Sequence, residues 1–159
     1  MMNTTAQIAK HFRDVHFGGN WTSVNLKESL AGVTCEQATT KVHSFNTIAV
    51  LVFHMNYYVA VITKVLEGKP LDGKDKLSFD CPLIQSTEDW EALVNKTWTE
   101  AENFAKLIEQ LPDSKLEETF INEKYGNYYR NLHGITEHMH YHLGQIVLIK
   151  KILLQATKN

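Results

Sequence analysis

Four long segments of the chain carry apolar residues at the spacing of an α-helix, and joints rich in Gly, Pro and Asp separate them. Apolar residues at that spacing form a stripe that must be buried against a neighbouring element. The pattern therefore predicts an all-α protein built as a four-helix bundle. The predicted helices cover residues 4–16, 44–66, 86–111 and 128–155.

Local signals suggest where these helices begin and end. The first helix stops at Gly18, and either Ser44 or Asn46 is expected to cap the second. Ser86, with acids following it, is expected to cap the third. The connecting segment between the first two helices holds at most one short helix, at about 26–30. With 159 residues, we expect one domain spanning 1–159, large enough to fold without disulfides or a structural metal.

Composition describes an ordinary globular protein. The hydrophobic content is 43%, charged residues make up 21%, and the net charge of −2 gives no reason to expect nucleic acid or an anionic membrane as a partner. Residues 1–12 do not resemble a signal peptide. No window is expected to reach transmembrane length, although 45–65 comes closest. Cys35 and Cys81 lack metal-type spacing and are expected to be reduced thiols, so we expect a cytoplasmic protein.

The feature that most directly indicates chemistry is a pair of histidines in the last predicted helix. His138 and His142 are four residues apart, so their rings project from one face, one turn apart, and can reach one divalent cation. A third, His54, is a lone polar residue on the buried side of the second helix. Three neutral imidazoles and a water would form an open coordination shell of the catalytic type. The alternative is that these are hydrogen-bonded core histidines, which are the commoner case in a chain with eight His.

Other polar residues near the pair are placed less favourably. His140 is rotated about 200° from His138, and His133 about 140°, so both are expected to face elsewhere. His43 is three helical turns before His54, roughly 16 Å along the axis, too far to share an ion. Glu137 is rotated about 100° from His138 and is not assigned as a general base.

Two parts of the chain together resemble a known family. Segment 46–55, which contains His54, and the later HxxxH motif followed by Leu-Gly-Gln at 138–145 resemble the DinB/YfiT-like superfamily. The resemblance extends to the lead-in at 30–38 and spans nearly the whole chain. Relatives commonly carry Arg at the position of Leu143, so any role of that basic residue is in doubt here.

The resemblance implies a four-helix bundle in which His54, His138 and His142 bind a divalent metal ion, zinc or nickel. It also implies a metal-dependent hydrolase or thiol S-transferase that acts on a small-molecule substrate or thiol, and a homodimer. Gln145 would hydrogen-bond a ligand or bound water, or be a satisfied polar residue at the pocket edge. Gly144 is expected to allow close helix approach.

Two classes of function remain open at this stage. One is an enzyme that uses the three-His ion, and the other is a non-catalytic stress-response bundle that binds a metal or small ligand. Apolar residues near the end of the last helix either form the dimer contact or close the end of the bundle. These residues are Val147, Leu148, Ile152 and Leu153.

Overall fold

The computed structural model describes residues 3–156, and within that range the chain is all-helical, with six α-helices and no β-strand. Four of the helices are long, and the predicted all-α class is confirmed. Three short 3₁₀ helices, Asp75–Phe79, Asp113–Glu117 and Glu123–Tyr125, lie in the joints. The α-helices are α1 (Thr4–Phe17), α2 (Leu26–Leu30), α3 (Cys35–Thr39), α4 (Ile48–Leu66), α5 (Thr87–Glu109) and α6 (Tyr128–Ala156).

Side-chain caps explain most of the helix starts, and one of them differs from the prediction. Ser86 caps α5 in a capping box with Asp89, as expected. The cap of α4 is Thr47, whose hydroxyl accepts from the Val50 amide, and neither Ser44 nor Asn46 takes this role. Both residues precede the helix, and Ser44 lies in a turn with His43, whose backbone φ is 49°.

The short helix α3 was not predicted, although its sequence carries a start signal. Thr34 and Gln37 form a complete capping box at its beginning. This Thr-x-x-Gln spacing is a recognised helix start. With only five residues, however, α3 is too short to show an apolar period.

The four long helices surround a common core. Helix α1 contacts α5 and α6, and α4 contacts α5 and α6, so each long helix has two long neighbours. The core between them is filled by large, fully buried side chains. Those contributed by the four long helices include Phe12, Met55, Phe104 and Met139.

Helix α4 is the most apolar element of the chain. Contrary to the sequence-based expectation, its 19 residues are long and apolar enough to cross a membrane by length and composition alone. However, 56% of that window is buried inside the protein, between α5 and α6. The same composition serves a core helix packed on several sides.

Helix α6 buries the predicted stripe, from Leu132 to Ile149. One expectation on this helix is wrong: a Cβ added at Gly144 would meet no atom within 4 Å, so no neighbouring helix approaches it. Near the end of α6, Val147, Ile152 and Leu153 pack partly buried against the core, while Leu148 is 54% exposed.

Candidate metal centre

The structure brings the three predicted histidines together. His54 lies near the middle of α4, and His138 and His142 lie on the facing side of α6. Their ring centroids are 4.9 Å apart for His54 and His138, 4.7 Å for His54 and His142, and 4.6 Å for His138 and His142. His54 and His138, which are 84 residues apart in sequence, therefore share one site with His142.

The donor atoms are close to the spacing that a metal ion requires. The Nε2 atoms of His54 and His138 are 3.0 Å apart, and one nitrogen from each of the three rings lies within 4.8 Å of the others. Two ligands of a tetrahedral zinc ion, at 2.0–2.1 Å each, are separated by about 3.3 Å. These residues could therefore hold one ion.

Two of the rings are oriented by hydrogen bonds on the opposite nitrogen. His54 Nδ1 lies 3.3 Å from the Ser78 carbonyl oxygen and 3.0 Å from its Oγ, and His142 Nδ1 lies 2.8 Å from Oε1 of Gln145. The carbonyl oxygens of Ser78 and Gln145 can only accept hydrogen bonds. Nδ1 of His54 and Nδ1 of His142 therefore carry the ring hydrogen and donate it. Nε2 of each ring is therefore left with a free lone pair that can bind a metal ion. Metal-ligating histidines typically have this arrangement.

The contacts to His54 come from the joint before α5, which the sequence suggested only as a connecting loop. Its 3₁₀ helix Asp75–Phe79 packs on α4, and the Phe79 ring stacks on His54 with centroids 3.9 Å apart. Tyr58 donates a 2.7 Å hydrogen bond to Asp75. Of these groups, Tyr58 was detectable, because it lies one turn after His54. No sequence signal places Ser78 or Phe79 at the site.

Burial keeps the three rings neutral. It is the largest cause of the lowered pKa of His54, His138 and His142, and in His138 it brings the pKa down to about 4, with His142 and His54 adding to the effect. Neutral imidazole is the form that binds a metal ion. Nδ1 of His138 is buried without a hydrogen-bond partner among the residues that the structure describes.

A cavity of about 400 Å³ opens beside the triad. His54 and His138 both line it, so a molecule in the cavity would lie against two of the three rings. The cavity lies between α4 and α6, and both helices contribute further lining residues. These include Tyr58, Ile62, Arg130 and Gly134.

The remaining polar candidates lie outside the triad. His140 faces α1, where its ring lies 5.9 Å from the ring of His11, and it is half-buried. Glu137 is exposed but lines the same cavity as His138. Leu143, where relatives in the resembling family carry Arg, is 2% exposed in the main core. The position therefore faces packed apolar side chains and offers no place for a basic group at the site.

Comparisons of the chain with protein-family models, with curated proteins and with solved structures find no match. No family is assigned on that basis. The residues of the chain itself carry what is known of the site.

Proposed function

We propose that His54, His138 and His142 hold one divalent metal ion, zinc or nickel, through their Nε2 atoms. The observation that carries the proposal is the convergence of three neutral rings, two of which have Nδ1 held by Gln145 or Ser78. A core histidine that served packing alone would not need its free nitrogen directed at two others. Three protein ligands leave one position open, as in catalytic rather than structural sites.

We further propose that the fold is a DinB/YfiT-like four-helix bundle. The support is the arrangement of α1, α4, α5 and α6 around one core, with a histidine on the second long helix and the HxxxH pair on the fourth. In bundles of this kind, metal sites are built in the core from facing helices.

The activity that this site fits best is that of a metal-dependent hydrolase or thiol S-transferase. When bound, a divalent ion would supply Lewis-acid chemistry that lowers the pKa of a water or thiol and provides a nucleophile near pH 7. The histidines would act as ligands and not as proton carriers, since burial keeps them neutral. Gln145 would position His142, and the adjoining cavity would admit a small-molecule substrate or thiol.

The second candidate is a non-catalytic protein that binds a metal or small ligand, for example in a stress response. One observation favours it: the only carboxylate that lines the cavity among the described residues is Glu137, which is exposed and has no hydrogen bond to the triad. A screen of the metal-loaded protein against esters, amides, and thiols with electrophiles separates the two. Metal-dependent turnover supports the enzyme, and rates unchanged by metal removal support the binding protein.

Elemental analysis of protein purified without a polyhistidine tag tests the metal site directly. We expect about one zinc or nickel per chain, and loss of that ion in His54→Ala, His138→Ala and His142→Ala, with helicity nearly unchanged. His140→Ala is the matched control, because this half-buried histidine of α6 faces α1. Equal metal content in the triad variants and the control would overturn the proposal.

We also propose a cytoplasmic homodimer. Cys35 and Cys81 are free thiols, and apolar side chains are exposed on and near the C-terminal half of α6, where they could meet a second copy. Sedimentation at micromolar concentration tests this, and a monomer would contradict it. The exposed residues are Phe45, Tyr141, Leu148 and Leu154.

A further inference from the structure

We infer that the cavity beside the triad binds a small molecule with an oxyanion, a carboxylate or phosphate, at Arg130 and an apolar segment leading to the histidines. This deepens the proposed function, on which it rests for the reacting end of the molecule. The inference has a second part, the recognition half, which is binding of the oxyanion; this part depends on Arg130 and the cavity walls alone.

Arg130 is the one cationic residue among the described residues that line the cavity. Its Nη1 donates a 3.0 Å hydrogen bond to the Tyr125 carbonyl oxygen, and its Cδ would lie 3.1 Å from a Cβ added at Gly126. The side chain is therefore folded over the turn before α6 and held there. It has no ion pair with residues 3–156, so the rest of its guanidinium is available to an anion.

The lining between Arg130 and the triad contains apolar side chains beside the polar Asn131 and Glu137. Ile62 is partly buried and Ile135 is 6% exposed, and both line the cavity. Gly134 lies between Arg130 and His138 on α6. A Cβ added at this glycine would meet no atom within 4 Å, so the glycine leaves cavity space unfilled. A chain of methylene groups fits such a wall better than a polar one does.

Helix geometry sets the length of the molecule. Arg130 and His138 are eight residues apart on α6, about 12 Å along the helix axis. An oxyanion at Arg130 and a reacting group at His138 therefore belong to an elongated molecule, and not to a compact one such as acetate or inorganic phosphate.

The test is an NMR titration of the protein, as purified and after dialysis against a chelator, with hexanoate, its neutral isostere hexanamide, and pentyl phosphate. We expect hexanoate to shift amides of the cavity and to bind about tenfold more tightly than hexanamide, since a charge-assisted pair is lost in the amide. Comparable binding of pentyl phosphate assigns the site to oxyanions in general, and its failure to bind assigns the site to carboxylates.

Variants locate the binding group. Arg130→Gln should remove the preference for hexanoate, and Arg130→Lys should keep part of it, because lysine has the charge without the planar fork. Gly134→Val, which fills the cavity, should weaken hexanoate and hexanamide alike. Lys124→Gln is the control: this lysine lies over the Tyr125 ring near Arg130 and does not line the cavity.

Equal binding of hexanoate and hexanamide, equal loss in Lys124→Gln and Arg130→Gln, or no saturable shift at the cavity would each overturn the inference. If the purified protein contains no metal and takes up neither zinc nor nickel when they are added, but still prefers hexanoate through Arg130, the proposed function fails while recognition of the oxyanion stands. The two failures are therefore distinguishable.

Discussion

At the scale of single residues, the three histidines are held in place by contacts with neighbouring side chains and backbone. Gln145 holds His142 through a side-chain carbonyl, whereas Ser78 holds His54 through both its hydroxyl and its backbone carbonyl. A substitution can remove the first contact completely but the second only in part. The two positions should therefore differ in their effect on metal binding.

Gln145→Leu keeps the size of the side chain and removes the acceptor. We expect the metal affinity to fall by about 10- to 100-fold, since outer contacts of ligating histidines have effects of this order. Ser78→Ala should cost less, because the Ser78 carbonyl remains. Competition with a chromogenic chelator measures both, with the exposed Gln155→Leu as control. Wild-type affinity in Gln145→Leu would contradict this role for the amide.

Glycines on open and closed surfaces should respond to the same substitution with opposite signs. Gly144→Ala should raise the free energy of unfolding by up to about 1 kcal/mol, because α6 gains a better helix former and the new methyl group meets nothing. Gly73→Ala should lower it, because its Cβ would lie 2.9 Å from Cγ1 of Val61. Urea unfolding of the two variants checks the contrast. A destabilised Gly144→Ala would show that α6 has a partner at this face.

At the scale of elements, a buried polar chain joins α4 to α5. Asn56 donates a 2.7 Å hydrogen bond to Thr97 Oγ1, which donates at 2.9 Å to the Leu93 carbonyl. Both side chains are buried, at 5% and 0% exposure. Surface ion pairs join α1 to α5 instead, between Arg13 and Glu102 or Glu109. Burial makes the first contact the more important of the two.

Thr97→Val should lower the free energy of unfolding by roughly 1–3 kcal/mol, because it leaves the Asn56 amide buried without its partner. Arg13→Ala should cost about 1 kcal/mol or less, since its partners are partly exposed and solvent screens the pairs. The double variant Asn56→Leu/Thr97→Val should recover part of the loss. Denaturant unfolding of the four proteins measures this, and a larger loss in Arg13→Ala would reverse the ranking.

At the scale of the whole molecule, stability should depend on pH through a histidine far from the solvent. His16 of α1 is 1% exposed, and burial lowers its pKa from 6.5 to about 4. As the pH falls, His16 is therefore protonated at a higher pH in the unfolded chain than in the folded one. The contribution of neutral His16 is complete above pH 6.5 and is lost as the pH falls through about 4.

The loss should approach roughly 3 kcal/mol near pH 4. The triad histidines have lowered pKa values too, so they add a loss of the same sign in metal-free protein. Comparing His16→Leu with the wild type isolates the share of His16. Urea midpoints between pH 7 and pH 4.5 should fall less steeply in the variant, and parallel curves would contradict the assignment.

Removal of the proposed ion should leave the molecule folded. The core is filled by apolar side chains from all four long helices, and none of the largest fully buried ones is a ligand. We expect the far-ultraviolet circular dichroism to be nearly unchanged by a chelator, with a lower Tm because a ligand of the native state has been withdrawn. Complete unfolding by the chelator would show that the ion is structural.

The sequence by itself determined the features that repeat along a single helix. The apolar period of α6 predicted its buried stripe, and the same period put His138 and His142 on one face. The start of α5 at Ser86 could be read because a cap involves only neighbouring residues. The start of α4 was misplaced from the same kind of signal, since several residues before it have side chains that can cap, and the structure gives that role to Thr47.

Only the tertiary structure decided which surfaces meet. Ser78 lies 24 residues from His54 in a joint without a period, so its contact depends on how that joint packs against α4. Likewise, Arg130 belongs to the cavity only because α4 and α6 are neighbours. The pairing of helices and the path of long joints follow from burial of apolar surface across the whole molecule. Local spacing can therefore nominate the ligands but cannot supply their surroundings.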